Sequence, residues 1–246
     1  MSGTGAPGAA RLRVAPGERR ETVLRPRGLV DLRGREDAEL TLGYPPDAVV
    51  VVSGLPGSGK STLLRRWSAT VPVVDPRDVH LACQAVMPEA LPYAVYRPWA
   101  RLEHARRLRA AVRRGGPLLV HDCGSRPWLR RWLARSAGSR GRELHLVLLD
   151  VGPAEALAGQ RARGRWAPRR VFARHCRGLD RLLRAVPRPS ATAAAPAPVP
   201  EGGRLAVPAA VAEVASLVLL DSASRGQASA RFEPDAQPAP DGLPAG

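Results

Sequence analysis

Ala48-Val49-Val50-Val51-Val52 runs without a polar interruption into Ser53, and then into Gly54-Leu55-Pro56-Gly57-Ser58-Gly59-Lys60-Ser61-Thr62. This junction constrains the fold more than any other feature of the chain. A continuous β-branched run has no polar face to offer water, so it predicts a parallel strand covered by helices on both sides. The stretch after it matches G-x-x-x-x-G-K-[ST], the pattern of a phosphate-binding loop. Gly54, Gly57 and Gly59 let the backbone turn tightly and bring its N–H groups onto phosphate oxygens. The helix predicted over residues 61–68 points its positive N-terminal end at the same place.

Lys60 is the only lysine in a chain with 38 lysines and arginines. An ammonium is a compact point charge that fits between β- and γ-phosphates, where a wide planar guanidinium does not. The retention of lysine at this one position therefore fits nucleotide binding, with Ser61 placed to ligate Mg²⁺ through its hydroxyl.

With 246 residues, 44% of them hydrophobic, the chain can bury one good α/β core and leave residues over for arms and tails. No apolar stretch approaches the roughly 20 residues of a membrane span, and the small, arginine-bearing N-terminus lacks the apolar segment of a signal peptide. A cytoplasmic protein with no membrane partner is expected. Cys83, Cys123 and Cys176 are odd in number and scattered, which suggests neither a disulfide framework nor a zinc site.

The net charge of +16 is unevenly placed. Residues 97–184 hold 22 arginines against six acids, 22 − 6 = +16, so the whole excess falls downstream of the phosphate loop. That segment also holds Trp99, Trp128, Trp132 and Trp166. Basic plus aromatic is the composition of a surface that meets nucleic acid. Solvated helix faces in an arginine-favouring chain have the same composition.

Alternating strand and helix patterns predict a parallel sheet with right-handed crossovers. Strands are predicted at residues 48–52, 71–74, 118–122, 144–150 and 216–221, with Asp75, Asp122 and Asp150 at or just beyond their carboxyl ends. Ligands bind at that edge in such sheets. Residues 1–44 read as an N-terminal arm with a short hairpin, and residues 45–222 as the main domain. The alanine- and proline-rich residues 187–203 read as an irregular insertion, and residues 223–246 as a disordered tail.

The loop Gly54 to Thr62, together with Asp75-Pro76-Arg77-Asp78-Val79-His80, Asp122-Cys123-Gly124-Ser125-Arg126 and Gly159-Gln160-Arg161-Ala162-Arg163-Gly164-Arg165, resembles the small P-loop kinases. The resemblance is to the polynucleotide 5′-kinase, zeta-toxin and chloramphenicol phosphotransferase branch, a group also described as AAA-type ATP-binding proteins. It covers residues 46–222, and only the phosphate loop is a specific motif. It implies a three-layer P-loop NTPase fold with a five-stranded parallel sheet in the order 2-3-1-4-5 and a small helical lid.

In that family the second strand ends in an acid that takes the acceptor's proton, commonly within D-x-D-x-x-R. Here Asp75 matches the first position, Arg77 stands where the second acid is expected, and His80 replaces the arginine. Asp78 and then Asp75 are the candidate bases, against the alternative of an aspartate capping the next helix. Asp122 is preferred to Asp150 for the Mg²⁺ shell. His121, Asp122 and Cys123 do not form one metal site, because neighbouring strand residues point to opposite faces. Arg161 and Arg165, four apart, would share a face and stabilise the transferred group if the helix continued through Gly164, with Gly159 and Gly164 giving the lid freedom to close. The expected function is an ATP- and Mg²⁺-dependent kinase acting on a hydroxyl of a small molecule or a nucleic-acid end. The alternative is a nucleotide-binding ATPase or regulatory module that binds nucleic acid through residues 97–184.

Overall fold

The structure is a computed structural model, and it describes residues 23–35, 40–69, 71–122, 127–164, 166–186 and 206–233. The predicted insertion at residues 187–203 lies outside this set, as does most of the predicted arm.

The main sheet has six strands, all parallel, in the order β5 (Val73–Val74), β6 (Leu118–His121), β4 (Val49–Gly54), β7 (Leu144–Leu149), β8 (Ser216–Leu220), β2 (Gly28–Asp31). β4 and β7 sit in the middle, and every residue of both is buried. That is why residues 49–52 and 146–149 are unbroken apolar runs, while the one buried imidazole of β7, His145, meets Ser216 Oγ at 2.8 Å. Five strands were expected; the sixth, β2, comes from the N-terminal region and pairs with β8 in register from Gly28 with Ser216 to Asp31 with Leu219.

Helices cover one face of the sheet: α3 (Tyr93–Arg114), α4 (Pro127–Gly138), α5 (Pro153–Arg161) and α6 (Arg169–Arg184). Leu108 and Val112 of α3, Leu133 of α4, Ala156 of α5 and Phe172 of α6 pack on Val49, Val51, Leu146 and Leu148. The other face carries α1 (Lys60–Trp67), through Leu63, Leu64 and Trp67, and a second sheet of three parallel strands, β1 (Val23–Leu24), β3 (Leu40–Tyr44) and β9 (Ala228–Phe232). Among the described residues the remaining helices are α2 (Pro76–Val86), the short α7 (Ser222–Gln227) and one 3₁₀ turn at Ala209–Val211.

Two expectations are corrected here. The N-terminal pieces do not form a hairpin: β1 pairs with β3 in parallel, and β2 leaves for the main sheet. A hairpin around Gly34 would have needed β2 and β3 to pair antiparallel, whereas β2 pairs with β8 and β3 lies between β1 and β9, all in parallel. The tail after residue 222 is not wholly irregular either. Asp221 caps α7 with a reciprocal Ser224 bond, and β9 adds to β3 through Tyr44. Arg66 and Trp67 of α1 donate to the Ala228 carbonyl, with the indole N–H at 3.0 Å, and anchor the segment. Its sequence, Ala-Ser-Ala-Arg-Phe, carries little apolar signal because only Ala228 is fully buried.

Candidate active site

The phosphate loop leaves β4 at the carboxyl edge of the sheet. Gly54, Gly57 and Gly59 have φ of 148°, 93° and 92°, values that disfavour any side chain. Gly59 caps α1, and the amides of Thr62 and Leu63 both return to its carbonyl at 3.0 Å. Lys60 is 4% exposed, and its Nζ donates to the carbonyls of Gly54 at 3.0 Å and Leu55 at 2.7 Å. The ammonium is thus held inside the loop's own curve.

Two other elements brace the loop. From α5, Gln160 donates Nε2 to the Pro56 carbonyl at 3.0 Å and accepts the Ala167 amide at 2.7 Å, so one buried side chain ties the loop to the turn after α5. From α7, Arg225 donates to the Ser58 carbonyl and lies 3.6 Å from Glu155 of α5.

A cleft of about 800 Å³ opens beside the loop. Pro56, Gly57 and Ser61 form one wall, Asp75, Asp78 and His121 another, and Gln160, Arg163 and Trp166 a third. Asp75 caps α2, accepting the Arg77 amide at 2.8 Å, and its Oδ1 also meets His121 Nδ1 at 2.9 Å. Burial opposes charge on Asp75, but the His121 ring and the Arg77 amide outweigh it and hold the carboxyl below the usual aspartate range. Asp78 is exposed in the first turn of α2.

The aspartates at the carboxyl edge have different surroundings. Asp150 is bound by Arg33 at 2.7 Å, and the same guanidinium holds Asp31. Asp221 is spent on the α7 cap and the Gly34 amide. Asp122, beside β4 through its amide to the Val52 carbonyl, is 7% exposed, and among the described residues its Oδ2 has no hydrogen-bond partner. An orphaned buried carboxylate oxygen next to the strand that carries the loop suits a hard cation, and Ser61 in the cleft supplies a hydroxyl.

α5 ends at Arg161, and Gly164 at φ 60° turns the chain, so the helix does not continue through Gly164 as the lid expectation required. Arg161 instead lies 5.9 Å over the Trp166 ring, and Arg165 lies outside the described residues. Arg163 lines the cleft, as do Arg65 and Arg77, and its Nη2 lies 3.2 Å from Thr62 Oγ1. Gly159 lies within α5 and packs on the loop: a Cβ there would stand 2.3 Å from the Gly57 carbonyl oxygen.

A family model described as an AAA domain matches residues 49–182, more than half of the chain. The chain belongs to the AAA domain family. No curated protein sequence matches it. Solved structures similar to this AAA domain include one from the PezAT chromosomal toxin–antitoxin system of Streptococcus pneumoniae, at 15% identity, 50% of this chain, 54% of that one and a TM-score of 0.41. The tunicamycin resistance protein of Deinococcus radiodurans is 20% identical over 56% of this chain and 80% of that one, with a TM-score of 0.40. A gluconokinase from Sinorhizobium meliloti is 17% identical over 73% of this chain and 85% of that one, with a TM-score of 0.34.

Sequence reasoning about this AAA domain missed His121 as Asp75's partner, Gln160 and Arg225 as braces of the loop, and Arg163 as a cleft arginine. For Arg163 the signal was present in Gly164, a residue suited to end a helix. For Arg225 there was none, since it follows a strand and stands 167 positions after Ser58, the loop residue it touches.

Proposed function

We propose that this AAA domain is an ATP- and Mg²⁺-dependent phosphotransferase that moves the γ-phosphoryl group of ATP to a hydroxyl of a small molecule or a nucleic-acid end. The observation that carries the reading is the single cleft that joins the phosphate loop to a fixed carboxylate–imidazole pair and an arginine. A nucleotide-binding module without an acceptor needs the loop alone. Here the space continues past it to Asp75.

The loop amides and Lys60 hold the β- and γ-phosphates, Lys60 exchanging its two carbonyl partners for phosphate oxygens. Ser61 and Asp122 are the residues that would hold Mg²⁺, which neutralises charge on the phosphates when bound. Asp75 takes the acceptor's proton. It ranks ahead of Asp78 because two hydrogen bonds fix it in place, whereas Asp78 is exposed. The acceptor oxygen bonds to the γ-phosphorus as the bond to the β,γ-bridging oxygen breaks, and ADP leaves. Arg163 lies where it would neutralise the equatorial oxygens during transfer, work that needs positioning more than covalent chemistry.

A second reading, an ATPase or regulatory module that binds nucleic acid, is favoured by Arg77, a cation lining the cleft at the position where the resembled family has an acid. The discriminating experiment incubates the protein with γ-labelled ATP and separate sets of small alcohols, sugars, nucleosides and 5′-hydroxyl oligonucleotides. Label transferred to one acceptor class supports the phosphotransferase. Release of inorganic phosphate alone, at a rate no acceptor changes, supports the second reading.

A further inference from the structure

A second cleft, of about 290 Å³, lies between the C-terminal ends of α3 and α4 and is lined by Arg109, Arg113, Arg135, Arg140 and Trp132 together with small residues. α3 leads into the start of β6 and α4 into the start of β7, so this cleft is at the amino edge of the sheet, opposite the phosphate loop. No acid lines it, and among the described residues no salt bridge reaches any of its four arginines. Glu103, the acid of α3, is taken by Arg106 and Arg107.

Four guanidinium groups around one concavity repel one another, so their convergence calls for a reason. Basic residues often cluster at a helix C-terminus to meet its carbonyls. At α3 that work is done by another residue: buried Arg142 donates to the carbonyls of Val112 and Gly116. Arg135 and Arg140 each spend a donor on α4 carbonyls, at 3.2 and 3.1 Å, and retain others of the five a guanidinium carries. Arg109 sits 5.9 Å over the Trp132 ring, joining the two helices.

The surface continues beyond the cleft along both helices. Trp99, Leu102, Arg109 and Arg113 recur at helical spacing on one face of α3, and Trp128, Trp132 and Arg135 do so on α4. Trp99 is 57% and Trp128 63% exposed. Large exposed indoles on the same helices as arginines that have no acidic partner among the described residues suit a ligand with both phosphates and stacking faces, which a small anion lacks.

We propose that the α3–α4 face binds single-stranded nucleic acid, its phosphates held by Arg109, Arg113, Arg135 and Arg140 and a base stacked on Trp128. This site is independent of the phosphotransferase reading and of the phosphate loop.

The test measures fluorescence anisotropy of a labelled single-stranded oligonucleotide against the full chain at several salt concentrations. Wild type should bind with log K falling linearly in log salt. Replacing all four arginines by alanine should lower low-salt affinity by at least about tenfold and flatten the slope by about 3, from about 0.7 per phosphate contact. The matching four-lysine variant should keep most of the slope. Lys60→Ala should bind as wild type does, and so should a variant with alanine at Arg169, Arg174, Arg177 and Arg181, exposed positions on α6. Circular dichroism checks each fold. Absence of binding by wild type would overturn the proposal. So would equal losses in the α6 and α3–α4 variants, loss in Lys60→Ala, or competition by pyrophosphate as effective as by unlabelled oligonucleotide.

Discussion

Gly159 of α5 and Gly57 of the phosphate loop meet backbone against backbone. A Cβ on Gly159 would lie 2.3 Å from the Gly57 carbonyl oxygen, and one on Gly57 would lie 2.0 Å from the Ala156 carbonyl oxygen. Neither neighbour is a flexible side-chain tip, so the loop's shape depends on two missing side chains as well as on its own turns.

Gly159→Ala must push α5 off the loop. It is expected to destabilise the fold by about 1–3 kcal/mol, as overpacking does. It should also weaken ATP binding on the order of tenfold or more, because a small displacement of a positioning element is costly. Thermal unfolding with and without Mg·ATP checks both. Gly138, where a Cβ would meet nothing within 4 Å, is the control site, and Gly138→Ala should leave ATP affinity unchanged.

The Asp75–His121 pair sets the pH dependence. The base works when deprotonated, and its pairing holds the Asp75 carboxyl below the ordinary aspartate range, so the acid limb of kcat/KM should lie low. His121→Gln removes a group that favours the carboxylate and should move that limb to higher pH. The same pairing stabilises the fold at pH above the ordinary aspartate value, and that contribution is lost as pH falls through the lowered one. Asp75→Asn preserves the α2 cap and should cut turnover by about 10²–10⁴ with little change in ATP affinity. Asp78→Asn should cost less. Rate profiles of the three variants check this ordering.

The phosphate loop was legible in the sequence because its chemistry is contiguous: nine successive residues carry turn, charge and metal hydroxyl together. The central strands were legible because burial on both faces leaves unbroken apolar runs such as Val49 to Val52. β9 was not, since an edge strand with one buried residue has almost no pattern. The neighbours of the loop were not legible for a different reason. Gln160, Arg163 and Arg225 reach it only after α5 ends where it does and the chain returns from β8, and local periodicity does not encode either event. Nor was the Arg33 contact to Asp150 legible, since Arg33 falls within the region read as the N-terminal arm.

Arg163 rather than Arg161 should matter for transfer. Arg163→Ala is expected to lower turnover by about 10²–10³, the loss typical of a group that stabilises transition-state charge. Arg161→Ala, whose guanidinium rests on Trp166, should leave turnover little changed. Steady-state kinetics of the two variants, side by side, distinguish a cleft arginine from a surface one.

The most direct measurement is a calorimetric titration of Mg·ATP into wild type and Lys60→Arg, with circular dichroism as the folding control. The ammonium lies 3.0 and 2.7 Å from two loop carbonyls and is almost fully enclosed, so a planar guanidinium has no room although its charge is the same. Wild type should bind one ATP saturably, and the folded arginine variant should lose at least about 1.4 kcal/mol of that binding, a tenfold weaker Kd. A folded Lys60→Arg protein that binds Mg·ATP as tightly as wild type would contradict the assignment of this loop as the nucleotide site.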